Sequence, residues 1–230
     1  MLRESSWKSA PVDMRKTVLF DMDGVILDSM PCHVKAWQEA MAEEGFEVQE
    51  ELIYLHEGAI EPETAVSIFS GNGCRMTESG FSRVLSRQIE IFRKRYFSSV
   101  RPYPGVADIL DDLKEDGWNM ALVTSSHSSV VEDVLPASIR NSMSCIISGD
   151  MVEKRKPDPG PYIEAMKRMQ VMPSDCTVVE NAPAGIRAAR AASAKCVAIK
   201  TTLSAEHLSE ADYIADDHEQ MCRLVKESCK

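Results

Sequence analysis

The chain has 230 residues, 44% of them hydrophobic, which allows a sizeable core and is the composition of an ordinary globular protein. Its 36 acidic residues outweigh 26 basic ones, for a formal charge of -10, so the surface repels phosphate polymers and anionic headgroups and no nucleic-acid partner is expected. No apolar run reaches the roughly 18 to 20 residues of a spanning helix and residues 1–14 lack the apolar core of a signal peptide, so the expectation is a cytoplasmic protein with no membrane partner.

In chain order, residues 1–14 show no periodicity and read as a disordered leader or a remnant of cloning. Residues 17–21, Thr-Val-Leu-Phe-Asp, form a β-branched and aromatic run ending in acids and glycine, the pattern of a buried strand running into a loop. From 31 to 100 the periodicity is helical with no convincing strand, and the segment reads as an inserted helical cap. Pro31 on one side and Pro102, Pro104 and Gly105 on the other mark two linkers that hinge cap on core. The charges of the cap are segregated. Nine glutamates and no Lys or Arg lie between Glu39 and Glu63, whereas Arg83, Arg87, Arg93, Lys94, Arg95 and Arg101 face Glu90 alone further on. These read as solvated helix faces, and the acidic one is expected to keep the protein a monomer.

Beyond the cap, apolar runs at 119–124, 144–148, 176–180 and 195–199 alternate with helical patterns, one marked by Leu110 and Leu113 and another by Tyr162, Ala165, Met166 and Met169. Strands alternating with helices imply parallel βαβ units: an α/β fold with a doubly wound, Rossmann-like parallel sheet, formed by 15–30 and 101–230. Seven cysteines, an odd number without CxxC spacing, read as scattered thiols of a reducing compartment, with Cys145, Cys176 and Cys196 buried on strands.

Ligands of open α/β sheets sit at the carboxyl ends of the strands. There this chain carries Asp21-Met22-Asp23-Gly24, Thr124-Ser125, Glu180-Asn181 and, in the loop after the third strand, Lys156 ahead of Pro157. Carboxylates at i and i+2 point to one side of an extended chain, and crowding them is costly without a cation between them. Mg²⁺, a hard ion that takes oxygen ligands, suits Asp21, Asn181 and the backbone carbonyl of Asp23, with Glu180 behind them.

These strand ends resemble the motifs of the haloacid dehalogenase superfamily. Phe20-Asp21-Met22-Asp23-Gly24-Val25, with Asp28-Ser29 after it, resembles the first family motif, and Leu122-Val123-Thr124-Ser125 the second. Lys156-Pro157-Asp158-Pro159 resembles the third, and Val178-Val179-Glu180-Asn181-Ala182-Pro183-Ala184-Gly185 the fourth, so the match runs from about Lys16 onward. The chain is most similar to the β-phosphoglucomutase-like branch, whose helical cap lies between the first two strands. The resemblance implies a Mg²⁺-dependent phosphohydrolase that acts on a small phosphorylated substrate through an aspartyl phosphate. In it Asp21 attacks phosphorus, and Asp23 protonates the leaving oxygen and then activates water. Thr124, the backbone N–H of Ser125 and Lys156 hold the other phosphoryl oxygens. Many relatives carry Asp where this chain has Asn181, which implies weaker Mg²⁺ binding.

Mutases of the branch clamp a distal phosphate with a cap arginine in a Gly-x-x-Arg context. Here Gly58-Ala59-Ile60-Glu61 puts Glu61 in that place, so hydrolysis is expected ahead of a sugar-phosphate mutase. His56-Glu57-Gly58 together with Pro31-Cys32-His33 resembles an inorganic-pyrophosphatase-like subset in which a cap glutamate reaches the metal site. That implies such a role for Glu57 and a pocket small enough for pyrophosphate, although Ala59 stands where the subset has an arginine. His33 and Arg87 are expected to face the cleft and touch a leaving group. The non-enzyme alternative, an aspartate phosphoacceptor module, has similar strand-end residues but no inserted cap.

Overall fold

A computed structural model describes residues 16–71 and 73–228, so the predicted leader at 1–14 lies outside the described residues. Six strands, β1 (Thr17–Phe20), β2 (Asn119–Val123), β3 (Cys145–Ile147), β4 (Cys176–Glu180), β5 (Lys195–Ile199) and β6 (Tyr213–Ala215), form one parallel sheet in the order β3-β2-β1-β4-β5-β6. The chain builds outward from β1 to β3 and then returns to lay β4 against the other side of β1. The carboxyl ends of β1 and β4 are therefore a topological switch point, where open α/β sheets bind their ligands.

The segment between β1 and β2 holds α1 (Met30–Glu43), α2 (Glu50–Leu55), α3 (Pro62–Ser70) and α4 (Glu78–Ile91), the last running into a π-helical turn at Phe92–Tyr96. After it come α5 (Val106–Glu115), α6 (Ser128–Val134), α7 (Ala137–Ser142), α8 (Gly160–Met169), α9 (Pro183–Ala191) and α10 (His218–Ser228). The period-two alternation of β1 sends Val18 and Phe20 to one face of the sheet and Leu19 to the other. Val18 and Phe20 join Leu113 of α5 and Val225 of α10, whereas Leu19 joins Tyr162 of α8 and Ile186 of α9. Helices on both faces explain why β1 is buried along its whole length.

The helical segment packs around aromatic rings. Phe69 of α3 lies 5.3 Å from Phe81 of α4 and 5.9 Å from Trp37 of α1, measured between ring centroids. Its segregated charges are more than solvated faces, because α1 and α4 bring them together. Arg87 forks onto both carboxylate oxygens of Glu43 at 2.7 and 2.8 Å, Arg95 and Tyr96 both meet Glu39, and Arg83 approaches Glu44 at 3.9 Å. Exposed pairs of this kind contribute about 0–1 kcal/mol each, so they set which faces meet more than they stabilise the contact.

The strands end slightly earlier than the sequence pattern suggests. Asp21 and Thr124 fall just outside β1 and β2, although their N–H groups still donate to the carbonyls of Val179 and Ile147 at 3.0 and 2.9 Å. The run at 144–148 shortens to Cys145–Ile147. Strand β6 has no counterpart in the sequence reading, since three residues at a sheet edge with Tyr213 exposed carry no legible periodicity. Cys176 and Cys196 are buried as expected, Cys145 only half-buried, and the six cysteines among the described residues are free thiols. No helix among the described residues is long and apolar enough to cross a membrane.

Phe69, with no exposed surface, is the test of the helical core: Phe69→Ala is expected to lower stability by about 3–5 kcal/mol in urea unfolding. A loss below about 1 kcal/mol would show that the three rings do not pack as described.

Candidate active site

The strand ends converge because two glycines let them. After β1 the chain doubles back, with the N–H groups of Ile26 and Leu27 donating to the carbonyl of Met22 at 3.0 and 2.9 Å. Gly24 sits in this turn with φ +85°, and a Cβ there would stand 2.2 Å from Nδ2 of Asn181, so a side chain would drive β1's turn away from the end of β4. Gly185, in the first turn of α9, does the same for Glu180: a Cβ would lie 1.7 Å from Oε1.

At the centre is Lys156. Its Nζ donates to Oδ1 of Asp21 at 2.5 Å, to Oε1 of Glu180 at 2.8 Å and to the carbonyl of Val123 at 2.9 Å, which uses all three of its protons. The Tyr162 hydroxyl, delivered by α8, also donates to Oε1 of Glu180 at 2.6 Å. Burial pushes Asp21 up to about 8; Lys156 pulls against it, and the neighbouring Glu180 and Asp23 add to the rise. For Lys156 burial opposes the charge, but Asp21 and Glu180 outweigh it and hold the ammonium above its usual value.

Asp23 is arranged differently. Ser29 donates to its Oδ1 at 2.6 Å, Ser126 donates to its Oδ2 at 2.8 Å, and Nε2 of His33 faces Oδ1 at 3.3 Å. Burial alone would raise this carboxyl, yet His33, Ser29 and Ser126 together hold it below the usual carboxylate value. His33 is itself fixed: its ring stacks on Phe92 at 4.0 Å, and Nε2 of Gln88 lies 3.4 Å from its Nδ1.

Asn181 donates from Nδ2 to Oε2 of Glu57 at 2.8 Å and to Oγ1 of Thr202 at 3.2 Å, while its Oδ1 has no partner. Oδ2 of Asp21 is likewise buried and unpartnered. Burial raises Glu57 well above its usual value, and Asp21, Asp23 and Glu180 add to the rise. Four carboxylates thus share this space with one ammonium, and two oxygen acceptors are left over. That surplus fits a hard divalent cation, which Asp21, Asn181 and the carbonyl of Asp23 could hold with Glu180 behind them. Among the described residues no three His, Cys, Asp or Glu side chains form a metal cage by themselves, so the amide and the backbone carbonyl are integral to this set.

Asp21, Asp23, Glu57, Thr124 and Ser125 open onto one cavity of about 400 Å³ between the sheet and the helical segment. Ser125 donates its hydroxyl to the carbonyl of Gly58 at 3.1 Å, a tie between the sheet and the helical segment. His33 lines the same cavity but turns its Nε2 to Asp23. Arg87 does not line it. Held by Glu43 and Glu90, it lies in a separate surface depression, a placement its sequence neighbours could not reveal because Glu43 is far away along the chain. The sequence reading also passed over Tyr162, Ser126 and Gln88. Ser126 directly follows Thr124-Ser125 and was open to notice, whereas Tyr162 and Gln88 sit in helical patterns that look like ordinary packing.

The Haloacid dehalogenase-like hydrolase family profile matches residues 18–199. The chain is 31% identical over 188 residues to the fructose-1-phosphate phosphatase YqaB of Escherichia coli, covering 80% of this chain and 95% of that protein. It is 26% identical over 182 residues to the β-phosphoglucomutase of Bacillus subtilis, covering 77% of this chain and 80% of that one. A hydrolase from Pseudomonas syringae shares the fold with a TM-score of 0.82 at 22% identity, over 93% of this chain and 99% of that one.

Two predictions follow from the geometry. Asp21 and Glu57 hold protons more tightly when folded than unfolded, so with chelator present their contribution to stability is full below the unfolded carboxylate value near 4 and is lost as pH rises, for Asp21 through about 8. The urea midpoint of the metal-free protein should therefore fall between about pH 5 and about pH 8, and a divalent cation should restore it; a midpoint rising across this range contradicts the cluster. Arg87→Ala should leave kcat/KM within about twofold, and a loss of a hundredfold would put Arg87 back in the cleft.

Proposed function

The chain belongs to the haloacid dehalogenase-like hydrolases and is a phosphatase of that type, and on this premise we propose that it hydrolyses a small phosphorylated metabolite through an aspartyl phosphate on Asp21 with Mg²⁺ as cofactor. The observation that carries the reading is the pair of unpartnered buried oxygens, Oδ2 of Asp21 and Oδ1 of Asn181, beside a lysine already bound to the nucleophile. When bound, Mg²⁺ supplies positive charge to the transferring phosphoryl group. The carboxylate of Asp21 attacks phosphorus, the bond from phosphorus to the leaving oxygen breaks, and Asp23 gives that oxygen its proton. Water then attacks the same phosphorus, Asp23 takes its proton, and the bond to Asp21 breaks, which restores the carboxylate. Thr124, the N–H of Ser125 and Lys156 offset charge on the three oxygens that do not transfer.

Asp23 is ionised at rest. A dianionic phosphoryl group arriving beside it raises its proton affinity again, which readies it as an acid, while Ser29, Ser126 and His33 keep it oriented. The contacts of Glu57 with Asn181 and of Gly58 with Ser125 close the cap over the reacting atoms and limit the access of water.

Two other reactions draw on the same residues. Pyrophosphate hydrolysis is favoured by Glu57, whose carboxylate reaches the amide of Asn181. A mutase is disfavoured: where the resemblance would put an arginine this chain has Glu61, whose carboxylate instead pairs at 3.4 Å with Arg155 of the cavity wall. A phosphoacceptor module would have no use for the inserted cap.

Phosphate release should require Mg²⁺ and stop with chelator, and Asp21→Asn should lower kcat by at least about a thousandfold with circular dichroism unchanged. Retained turnover in that variant rules out the covalent route. With acetyl phosphate, whose leaving group needs no proton, Asp23→Asn should accumulate a hydroxylamine-sensitive phosphoenzyme; a variant that turns over at the parent rate without accumulating it would remove Asp23 from the water step.

A further inference from the structure

The cavity that opens at Asp21 changes character as it enters the cap. Away from the strand ends its walls are Trp37 of α1, Ile53 of α2, Leu85, Ile89 and Phe92 along α4 and the turn after it, and Val130 of α6. Residues 85, 89 and 92 fall on one helical stripe at spacings of four and three, so a single apolar face of α4 forms one wall. Ile89, on this wall, keeps 41% of its surface exposed.

The charged groups around the cavity are already engaged. Arg155 meets Glu61 at 3.4 Å, Arg93 donates to Oγ of Ser129 at 2.5 Å and lies 4.0 Å from Asp133, and His127 lies 3.7 Å from Asp150. Gln88, the buried polar side chain on the α4 wall, is taken up by His33. A second anionic group would have to compete with Glu61 and Asp133 for these cations, and along the apolar wall the hydroxyls of a carbohydrate would lose water without gaining partners. At about 400 Å³ the space falls within the range of small-molecule sites and far exceeds the needs of pyrophosphate.

Resting on the phosphatase reading above, we propose that the substrate is a phosphate monoester whose alcohol carries a compact, uncharged, apolar body, alicyclic or aromatic, seated against Trp37, Leu85 and Phe92 while its phosphoryl group meets Asp21. The leaving-group chamber selects for hydrocarbon surface, and selection falls on binding, since the reacting atoms are the same for any primary ester.

Cyclohexylmethyl phosphate and glucose 6-phosphate test this directly, because both are primary alkyl esters bearing a six-membered ring and differ mainly in hydroxyls. The wild-type protein with Mg²⁺ should prefer the cyclohexylmethyl ester by at least about tenfold in kcat/KM, chiefly through KM, and Leu85→Asn should shrink that ratio several-fold. Calorimetry on the wild-type protein with the hydrolysis-resistant phosphonate analogues of the two esters should show the same order of affinity and a negative heat-capacity change for the cyclohexyl analogue alone. Equal or better handling of glucose 6-phosphate, or a preference for pyrophosphate, overturns the apolar-substrate proposal and leaves the phosphatase reading standing. Absence of Mg²⁺-dependent release from every ester and from acetyl phosphate overturns the phosphatase reading instead, and the calorimetric order then decides the chamber's chemistry separately.

Discussion

One buried ammonium organises this molecule's site. Lys156 is 4% exposed and spends its three protons on Asp21, Glu180 and the end of β2, so it joins three separate strand ends at one point. Breaking one side of a buried charge pair typically costs about 3–5 kcal/mol, because the remaining charge is stranded away from water. The lysine does not neutralise its surroundings, however. Asp21, Asp23, Glu57 and Glu180 crowd the same volume, and the opposite behaviour of Asp21 and Asp23, one pushed up and the other held down, shows how locally that excess is distributed.

The sheet and the cap each supply half of what this charge arrangement needs. The switch point between β1 and β4 brings Asp21 and Glu180 side by side, and the missing side chains of Gly24 and Gly185 remove the bulk that would separate them. The helical segment contributes Glu57 and most of the chamber's apolar wall, and it meets the rest through Tyr54 and Leu55 packed on the sheet's second apolar cluster as well as through polar contacts such as Glu57 with Asn181, Gly58 with Ser125, Glu61 with Arg155 and Arg93 with α6. Exposed pairs such as Glu61 with Arg155 can be exchanged for water at modest cost.

Much of this was legible in the chain itself. Buried parallel strands are continuous apolar runs, so five of the six showed plainly, and the groups that close β1, β2 and β4 stand next to those runs in sequence. The features that were hidden depend on distant residues. Arg87 looked like a cleft residue until Glu43 of the neighbouring helix was found holding it on the outside. Tyr162 looked like helix packing, yet its hydroxyl supports Glu180, and Gln88 on the α4 face proves to be a partner of His33. The acidic and basic blocks of the cap were visible as composition, but only the docking of α1 on α4 shows that they pair with each other.

The central claim, that the surplus of buried carboxylate is balanced by a divalent cation at Asp21 and Asn181, is tested most directly by titrating Mg²⁺ into the metal-free protein by calorimetry at neutral pH in two buffers of different ionisation enthalpy. Because Asp21 and Glu57 hold protons more tightly than ordinary carboxylates, saturable binding should come with proton release, read as a buffer-dependent heat, and should be lost in Asp21→Asn. No saturable binding, or binding unchanged in Asp21→Asn, would contradict the account.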